Sequence, residues 1–194
     1  MMTRWMMRNL GTGFRKLRHA GAAAIAMALL AGLVATGARA AAPTFIGMFG
    51  AWAAYEAEVS GNDGAGRVCY IASEPYEDEG NYTRRGDIFA QVSHWPGRNG
   101  GVTGEVSFIA GYTYEEGSTV EVTVGGRAFK LFTQNNKAWL ASQADEEALV
   151  QAMIRGTDMV VTGTSSRGTL TTDTYSLKGF TAAYRKISEA CGTG

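Results

Sequence analysis

The sequence predicts a mainly β protein, either an antiparallel β-sandwich or a barrel-like sheet, with two short helices, the second at the C-terminus. Several segments alternate apolar and polar residues with period two, the pattern of strands that bury one face. Turn-forming glycine and asparagine residues separate these segments at short intervals, as in antiparallel hairpins. Only two segments repeat apolar residues at steps of three and four, the helical period.

The first half of the chain contains four predicted strands. Residues 45–56 are predicted as the first strand, and residues 68–73 as the second, with Cys69 among apolar and β-branched neighbours. In residues 88–93 and 105–110 apolar residues occupy every second position, so each segment has one face suited to a core.

The clearest hairpin lies in the second half of the chain. The valines of residues 120–124 share one face, and Gly125-Gly126 follows as a two-residue turn able to adopt positive φ. Residues 129–131 resume the alternation, and Asn135-Asn136 is predicted to turn the chain again into residues 137–141.

Two further strands are predicted at residues 159–164 and 169–177, joined by a turn at residues 166–168. They bring the expected total to about nine strands in an antiparallel arrangement. Residues 61–66 and 75–86 are polar and are predicted as loops, the second long and mobile.

The two helices are predicted from capping and periodicity. Ser142 and Asp145 have the spacing of a capping box with Asp in place of Glu, and acidic residues 145–147 suit the first turn. Gly156 is a natural stop for this helix. The second helix is predicted from about residue 179 to residue 190, with one apolar face formed by Phe180, Ala183, Ile187 and Cys191.

Residues 1–40 are predicted to be a secretory signal peptide, and residues 41–194 a single β-rich domain. A cationic stretch, an apolar run over residues 20–34 and the small residues of Ala38-Arg39-Ala40 have the three-part layout of such a peptide. An uncleaved membrane anchor is the alternative, but the apolar run falls short of the roughly 20 residues that span a bilayer. We therefore expect no transmembrane segment after cleavage.

Charge and cysteine content fit an exported domain. Six of the 18 basic residues and none of the 18 acidic residues lie in residues 1–40, so the remainder is mildly acidic, which gives no support to nucleic-acid binding. Cys69 and Cys191 are the only cysteines and are predicted to form a disulfide, two separate buried thiols being the alternative. Closing so long a loop would stabilise the fold by roughly 4–5 kcal/mol.

No catalytic or metal-binding constellation stands out, so no catalytic residue, metal or cofactor is expected. His94 is the only histidine after residue 40, no G-x-S-x-G motif accompanies a serine, and zinc would need three or four good ligands. The carboxylate clusters at residues 78–79, 115–116 and 145–147 are interpreted as a loop, a turn and a helix start. A periplasmic hydrolase built around His94 remains the alternative.

Trp95 and Arg98 are the candidate partner-contact residues. They lie at a predicted strand end beside a glycine-rich loop, and tryptophan and arginine are enriched at protein interfaces. The alternative is that Trp95 packs into the core or the loop. Arg85-Gly86-Asp87 spells the integrin-binding tripeptide, but a structural turn is the expectation because three residues recur by chance.

A set of short elements resembles the invasion-associated locus B family of exported bacterial proteins, over about residues 45–191. The elements are Trp52, residues 69–73, Ala138-Trp139, residues 153–156, residues 166–169 and the ending Ser-Leu-Lys-Gly-Phe-Thr-Ala-Ala at residues 176–183, followed by Cys191. The resemblance implies an envelope protein, linked in some pathogens to host-cell entry, and supplies no catalytic residues. Many members carry a further cysteine shortly after the early tryptophan, where this chain has Tyr55.

The expected function is therefore that of an exported, non-catalytic binding or interaction protein. It would reside in the periplasm or cell envelope, associated with the outer membrane or secreted, and its partner would be an unidentified protein or glycan of the envelope or of host cells. A small outer-membrane β-barrel is a third alternative, although its strands would need about 9–11 residues, more than most runs here provide.

Overall fold

The computed structural model describes residues 42–61, 64–98 and 100–194, so the predicted signal peptide lies outside the described part. These residues form one antiparallel sheet of 11 strands and two helices. The strands are β1 (Thr44–Phe49), β2 (Trp52–Gly61), β3 (Gly64–Ser73), β4 (Glu77–Gly80), β5 (Phe89–Trp95), β6 (Val102–Ile109), β7 (Thr119–Val124), β8 (Arg127–Gln134), β9 (Lys137–Trp139), β10 (Asp158–Thr164) and β11 (Leu170–Ser176), and the helices are α1 (Gln143–Arg155) and α2 (Phe180–Cys191).

The sheet curls until its two ends approach each other. Its hydrogen-bonded order is β1-β2-β3-β5-β6-β9-β8-β7-β10-β11-β4. Strand β2, next to one edge, nevertheless contacts β11, next to the other edge: the indole Nε1 of Trp52 donates to the Ser176 carbonyl at 2.9 Å. The predicted mainly β fold with two short helices is confirmed, and its form is a single barrel-like sheet.

The inner face of the curled sheet holds the core. Trp52, Ile71, Val92 and Phe108 are almost completely buried there, each at an apolar position of an alternating strand. Helix α2 packs its apolar face against β2, β3 and β5, and the Phe180 ring meets the Trp52 ring edge-on at 5.0 Å between centroids. Neither helix of the described residues is long and apolar enough to cross a membrane.

The predicted hairpin and helix boundaries are confirmed. Val124 pairs with Arg127 across Gly125-Gly126, and both glycines have positive φ, as a type I′ turn requires. Ser142 is the N-cap of α1, and its Oγ accepts a hydrogen bond from the Asp145 backbone N–H at 3.2 Å.

Three sequence-based predictions about the strands are wrong. Residues 61–66 were expected as a loop, but β2 runs to Gly61 and β3 begins at Gly64. Residues 45–56 form two strands, because the chain turns at Gly50-Ala51 and pairs β1 with β2. Residues 75–86 contain strand β4, which pairs with β11, where a mobile loop was expected. The β4 side chains are acidic and exposed, so this edge strand has the composition of a polar loop.

We expect Gly179→Ala to destabilise the protein by about 2–4 kcal/mol. Gly179 has φ +89°, and an added Cβ would lie 2.0 Å from the Phe49 carbonyl oxygen, a backbone atom that cannot move aside alone. The matched control is Gly168→Ala, at φ +77° with open space around the Cβ, which should cost only about 1 kcal/mol. Urea denaturation measures both; equal losses would contradict the close approach of α2 to the β1–β2 turn.

Candidate functional site

A polar cleft of about 530 Å³ lies where three loops meet. Its walls are residues 81–85, which follow β4, residues 111–113, which follow β6, and the β10–β11 turn with Ser165, Ser166, Arg167 and Thr169. Thr171 of β11 completes the lining. We call this feature the arginine cleft, because Arg84, Arg85 and Arg167 line it.

Arg85 forms the rigid floor of the arginine cleft. Its Nη1 and Nη2 lie 2.5 and 2.6 Å from the two carboxylate oxygens of Asp173, and its Nε donates to the Ala110 carbonyl at 2.7 Å. The guanidinium carbon lies 5.5 Å from the Tyr82 ring centroid and 4.9 Å from that of Tyr112. With 4% and 5% of their side chains exposed, Arg85 and Asp173 neutralise each other inside the protein.

This ion pair also decides the interpretation of Arg85-Gly86-Asp87. The Arg85 side chain points into the protein, so it is not displayed together with Asp87, which lies just before β5. Gly86 donates its backbone N–H to the Gly111 carbonyl at 2.9 Å. The tripeptide is a structural connection between the loop and the cleft floor.

Arg84 and Arg167 supply the net positive charge of the arginine cleft. Both are exposed, and neither belongs to any of the salt bridges found among the described residues. None of the described lining residues is acidic. The two guanidinium groups therefore create a local positive potential on a domain whose overall balance is acidic.

The β10–β11 turn holds Arg167 in place. The Ser165 hydroxyl accepts hydrogen bonds from the backbone N–H groups of Arg167 and Thr169 at 3.3 and 3.2 Å. Ser166 N–H donates to the Thr113 carbonyl at 2.8 Å, which joins the turn to the neighbouring wall. Two walls of the cleft are thus fixed to each other by backbone contacts.

Sequence reasoning missed this site. It identified residues 166–168 as a turn and residues 75–86 as a loop, but nothing in the sequence indicated that they meet. The convergence depends on the pairing of β4 with β11, and β4 was not predicted. The adjacent pair Arg84-Arg85 was the only local signal, and it does not distinguish the buried arginine from the exposed one.

The predicted contact residues Trp95 and Arg98 lie together elsewhere, where β5 meets β6. Trp95 Nε1 donates to Glu105 Oε1 at 3.1 Å, Arg98 forms an ion pair with the same carboxylate, and the Arg98 guanidinium lies 4.8 Å from the indole centroid. Both side chains are half-buried. Their role as partner contacts stays a prediction; the structure shows that they bind each other through Glu105.

His94 is a buried, neutral histidine. Its Nδ1 accepts a hydrogen bond from the Gly104 N–H at 3.0 Å, so its Nε2 carries the proton and donates to the Ser188 Oγ, also at 3.0 Å. That hydroxyl in turn donates to the Tyr184 carbonyl at 3.0 Å. Burial lowers the pKa of His94 to about 4. The ring thus ties α2 to β5, and a serine whose proton is directed to a helix carbonyl is not activated as a nucleophile.

Side chains of helix α1 hydrogen-bond to the part of the β6 backbone that has no neighbouring strand on that side among the described residues. Strand β9 pairs with β6 only as far as Ser107. Beyond it, Glu146 Oε2 accepts the Val106 N–H at 2.7 Å, and Gln143 Nε2 donates to the Thr103 carbonyl at 3.1 Å. Residues 145–147 do begin a helix as predicted, but Glu146 is buried, which that interpretation did not foresee.

Glu146 is a carboxyl group held mainly in its neutral form. Burial raises its pKa to about 8, the Val106 N–H opposes this, and the nearby charges of Glu105 and Asp145 add to the increase. Glu105, Glu146, Phe132 and Trp139 line a shallow hollow of about 280 Å³.

We expect Glu146→Gln to stabilise the protein by about 4 kcal/mol at pH 8 and to have little effect at pH 4. Between pH 4.5 and 8 the unfolded chain loses this proton and the folded chain keeps it, so wild-type stability falls as pH rises through that window. Glutamine keeps the acceptor for Val106 and removes the titration. Glu147→Gln, at an exposed neighbour, is the control, and a Glu146→Gln protein less stable at pH 8 would contradict the assignment.

The predicted disulfide is confirmed. Cys69 of β3 and Cys191 of α2 are bonded, with their Cα atoms 5.9 Å apart across a sequence separation of 122. Both are buried in the core, and the bond fixes the last turn of α2 to β3. Among the described residues there is no cluster of three or more His, Cys, Asp or Glu placed to hold a metal ion.

Together the fold and the site define a disulfide-linked protein with one curled β-sheet and a cationic, hydroxyl-lined cleft. The family model described as invasion associated locus B (IalB) protein matches residues 53–188, and the chain belongs to this family. No curated protein matches the chain, and no solved structure does.

Proposed function

We propose that this chain is an exported binding protein of the bacterial cell envelope that acts without catalysis, and that the arginine cleft holds its anionic ligand. The observation that carries the proposal is the presence of two exposed arginines, Arg84 and Arg167, facing one cleft without an acidic partner among the described residues. Arginine presents paired donors that match carboxylate, sulfate and phosphate groups. A cleft with such donors and no acid of its own is suited to an anion.

Membership of the IalB family and the disulfide support export, because disulfides persist in oxidising compartments. Fractionation of cells, with added protease before and after the outer membrane is opened, tests this part. A protein protected until opening is periplasmic, and one cleaved on intact cells is displayed at the surface. Retention in the cytoplasm with reduced cysteines would contradict export.

We expect anions to perturb backbone NMR signals around the arginine cleft in the natively processed protein. The probes are sulfate, citrate and a carboxylated polymer, and the perturbed signals should belong to residues 82–85, 111–113 and 165–169. The Arg84→Gln/Arg167→Gln double variant should weaken the response at least about tenfold, since each arginine contributes a charge-assisted contact. Arg185→Gln, an exposed arginine on α2, is the control. Perturbations that are absent, or unchanged in the double variant, would contradict the proposal.

Membership of the IalB family is the only support for including a role in host-cell entry in this proposal. Its test is an entry assay with a deletion strain that carries the wild type, the double variant or Arg185→Gln. Equal entry by the wild type and the double variant would mean that host-cell entry does not depend on ligand binding in the cleft.

A second candidate, a hydrolase, is favoured by one observation, the hollow that places Glu146 and Glu105 beside the Phe132 and Trp139 rings. Glycoside hydrolysis uses two carboxyl groups with different protonation, and aromatic rings stack on sugars. A screen with aryl glycosides tests this candidate. Turnover that Glu146→Gln abolishes while the fold is kept would support it over the non-catalytic proposal.

A further inference from the structure

The composition of the arginine cleft narrows the chemistry of its ligand. Besides the arginines, most of the described lining residues carry hydroxyl groups: Tyr82, Thr83, Tyr112, Thr113, Ser165, Ser166, Thr169 and Thr171. Four of these hydroxyls, those of Tyr82, Tyr112, Ser165 and Thr171, already hydrogen-bond within the protein. The hydroxyls of Thr83, Thr113, Ser166 and Thr169 can each donate to and accept from a ligand that does the same. None of the described lining residues is Leu, Ile, Val, Met, Phe or Trp, so the apolar part of the lining comes from side chains that also carry a polar group, such as tyrosine, threonine and arginine.

The volume of the cleft favours an organic ligand over a simple ion. The volume of about 530 Å³ falls within the roughly 300–1,000 Å³ typical of small-molecule sites and far exceeds what acetate or phosphate fills. Arg84 and Arg167 come from different walls of the cleft. A ligand that meets both walls must extend across the cleft, with its anionic groups near the arginines and polar groups between them.

The cleft is organised in advance of binding. Arg85 is fixed by Asp173 and Ala110, Tyr112 shares a 2.7 Å hydrogen bond with Thr171, and Ser165 fixes the turn that carries Arg167. The floor and the turn therefore lose little conformational freedom on binding, and the side chains of Arg84 and Arg167 are the parts that the ligand must order. The tyrosine rings add flat surface of the kind that sugar rings contact.

We propose, building on the anion-binding function above, that the ligand of the arginine cleft is an acidic saccharide, with its carboxylate or equivalent anionic groups at Arg84 and Arg167 and its hydroxyl groups against the threonine and serine hydroxyls of the lining. Both parts of the ligand contribute to binding. Its anionic groups pair with the two arginines, and its sugar rings fill the space between the walls.

Titration calorimetry of the natively processed protein tests this with three probes that separate the two parts. Digalacturonate carries ring and charge, the neutral disaccharide digalactose carries the ring alone, and acetate carries the carboxylate alone. We expect digalacturonate to bind at least about tenfold more tightly than either control, and Arg84→Gln and Arg167→Gln each to weaken it about tenfold. Arg185→Gln should leave its affinity unchanged, and added salt should weaken binding.

The outcomes distinguish this inference from the function on which it rests. If acetate and digalacturonate bind equally and both need Arg84 and Arg167, the cleft binds anions but not saccharides as such, and only the inference is overturned. Digalactose binding as tightly as digalacturonate would also overturn it. If none of the three binds, the saccharide inference fails, and the NMR titration with sulfate and citrate decides separately whether the anion-binding function fails with it.

Discussion

Asp173→Ala is expected to destabilise the protein by about 3–5 kcal/mol, because it leaves the buried Arg85 guanidinium without its counter-ion. Only 4% of the Arg85 side chain is exposed, so water cannot replace the two carboxylate contacts. Burial raises the pKa of Asp173, and Arg85 opposes that rise, so removing either partner leaves a charge that is expensive to keep inside the protein. Urea denaturation at pH 7, followed by circular dichroism and fluorescence, measures the loss.

The exposed pair of Arg67 and Glu56 is the matched control. Its side chains are 41% and 34% exposed, so Glu56→Ala should cost less than about 1 kcal/mol. A double variant, Arg85→Met/Asp173→Leu, should be more stable than Asp173→Ala, since neither charge then remains buried. A loss under 1 kcal/mol in Asp173→Ala would mean that Arg85 does not depend on its partner and that the cleft floor is not rigid.

Removal of the disulfide is expected to produce a loss of similar size. Cys191→Ser should lower the free energy of unfolding by about 2–5 kcal/mol. The bond closes a loop across a sequence separation of 122, which restricts the unfolded chain, and it attaches α2 to β3. Hydrogen exchange should show the backbone amides of α2 opening before those of the central strands. Loss of the attachment also weakens the contact between Ser188 and His94.

The double variant Cys69→Ser/Cys191→Ser is the control for this experiment. It should match Cys191→Ser, and a reducing agent should bring the wild type to the same stability without affecting either variant. A reduced protein as stable as the oxidised one, with α2 equally protected, would show that packing of the apolar face and the hydrogen bond between His94 and Ser188 hold α2 without the disulfide.

The elements that sequence analysis predicted correctly are those whose signals are local. The β7–β8 hairpin follows from alternating valines and Gly125-Gly126, and α1 from Ser142 and its capping spacing. The buried face of β5 also follows from local alternation in residues 88–93, and the structure places Ala90 and Val92 in the core. In each case the residues that determine the conformation are neighbours in the sequence.

The features that sequence analysis missed depend on distant parts of the chain. Strand β4 has a loop-like composition and exists because β11 offers it an edge to pair with. Glu146 looks like an ordinary acidic residue of a first helical turn until α1 is placed on the β6 edge. The arginine cleft needs three loops that are far apart in the sequence, so neither Arg84 nor Arg167 could be assigned to it from its neighbours in sequence.

If the arginine cleft is the binding site of this protein, a photoreactive group placed in it should crosslink to the bound ligand in living cells, whatever that ligand is. A photoreactive benzoylphenylalanine replaces Thr113, an exposed residue of the cleft, or Lys130, an exposed residue of β8. We expect an adduct at position 113 that is lost with Arg84→Gln/Arg167→Gln, and none of comparable yield at position 130. An adduct at position 113 that persists in the double variant, or none there while position 130 crosslinks, would contradict a binding site in the cleft.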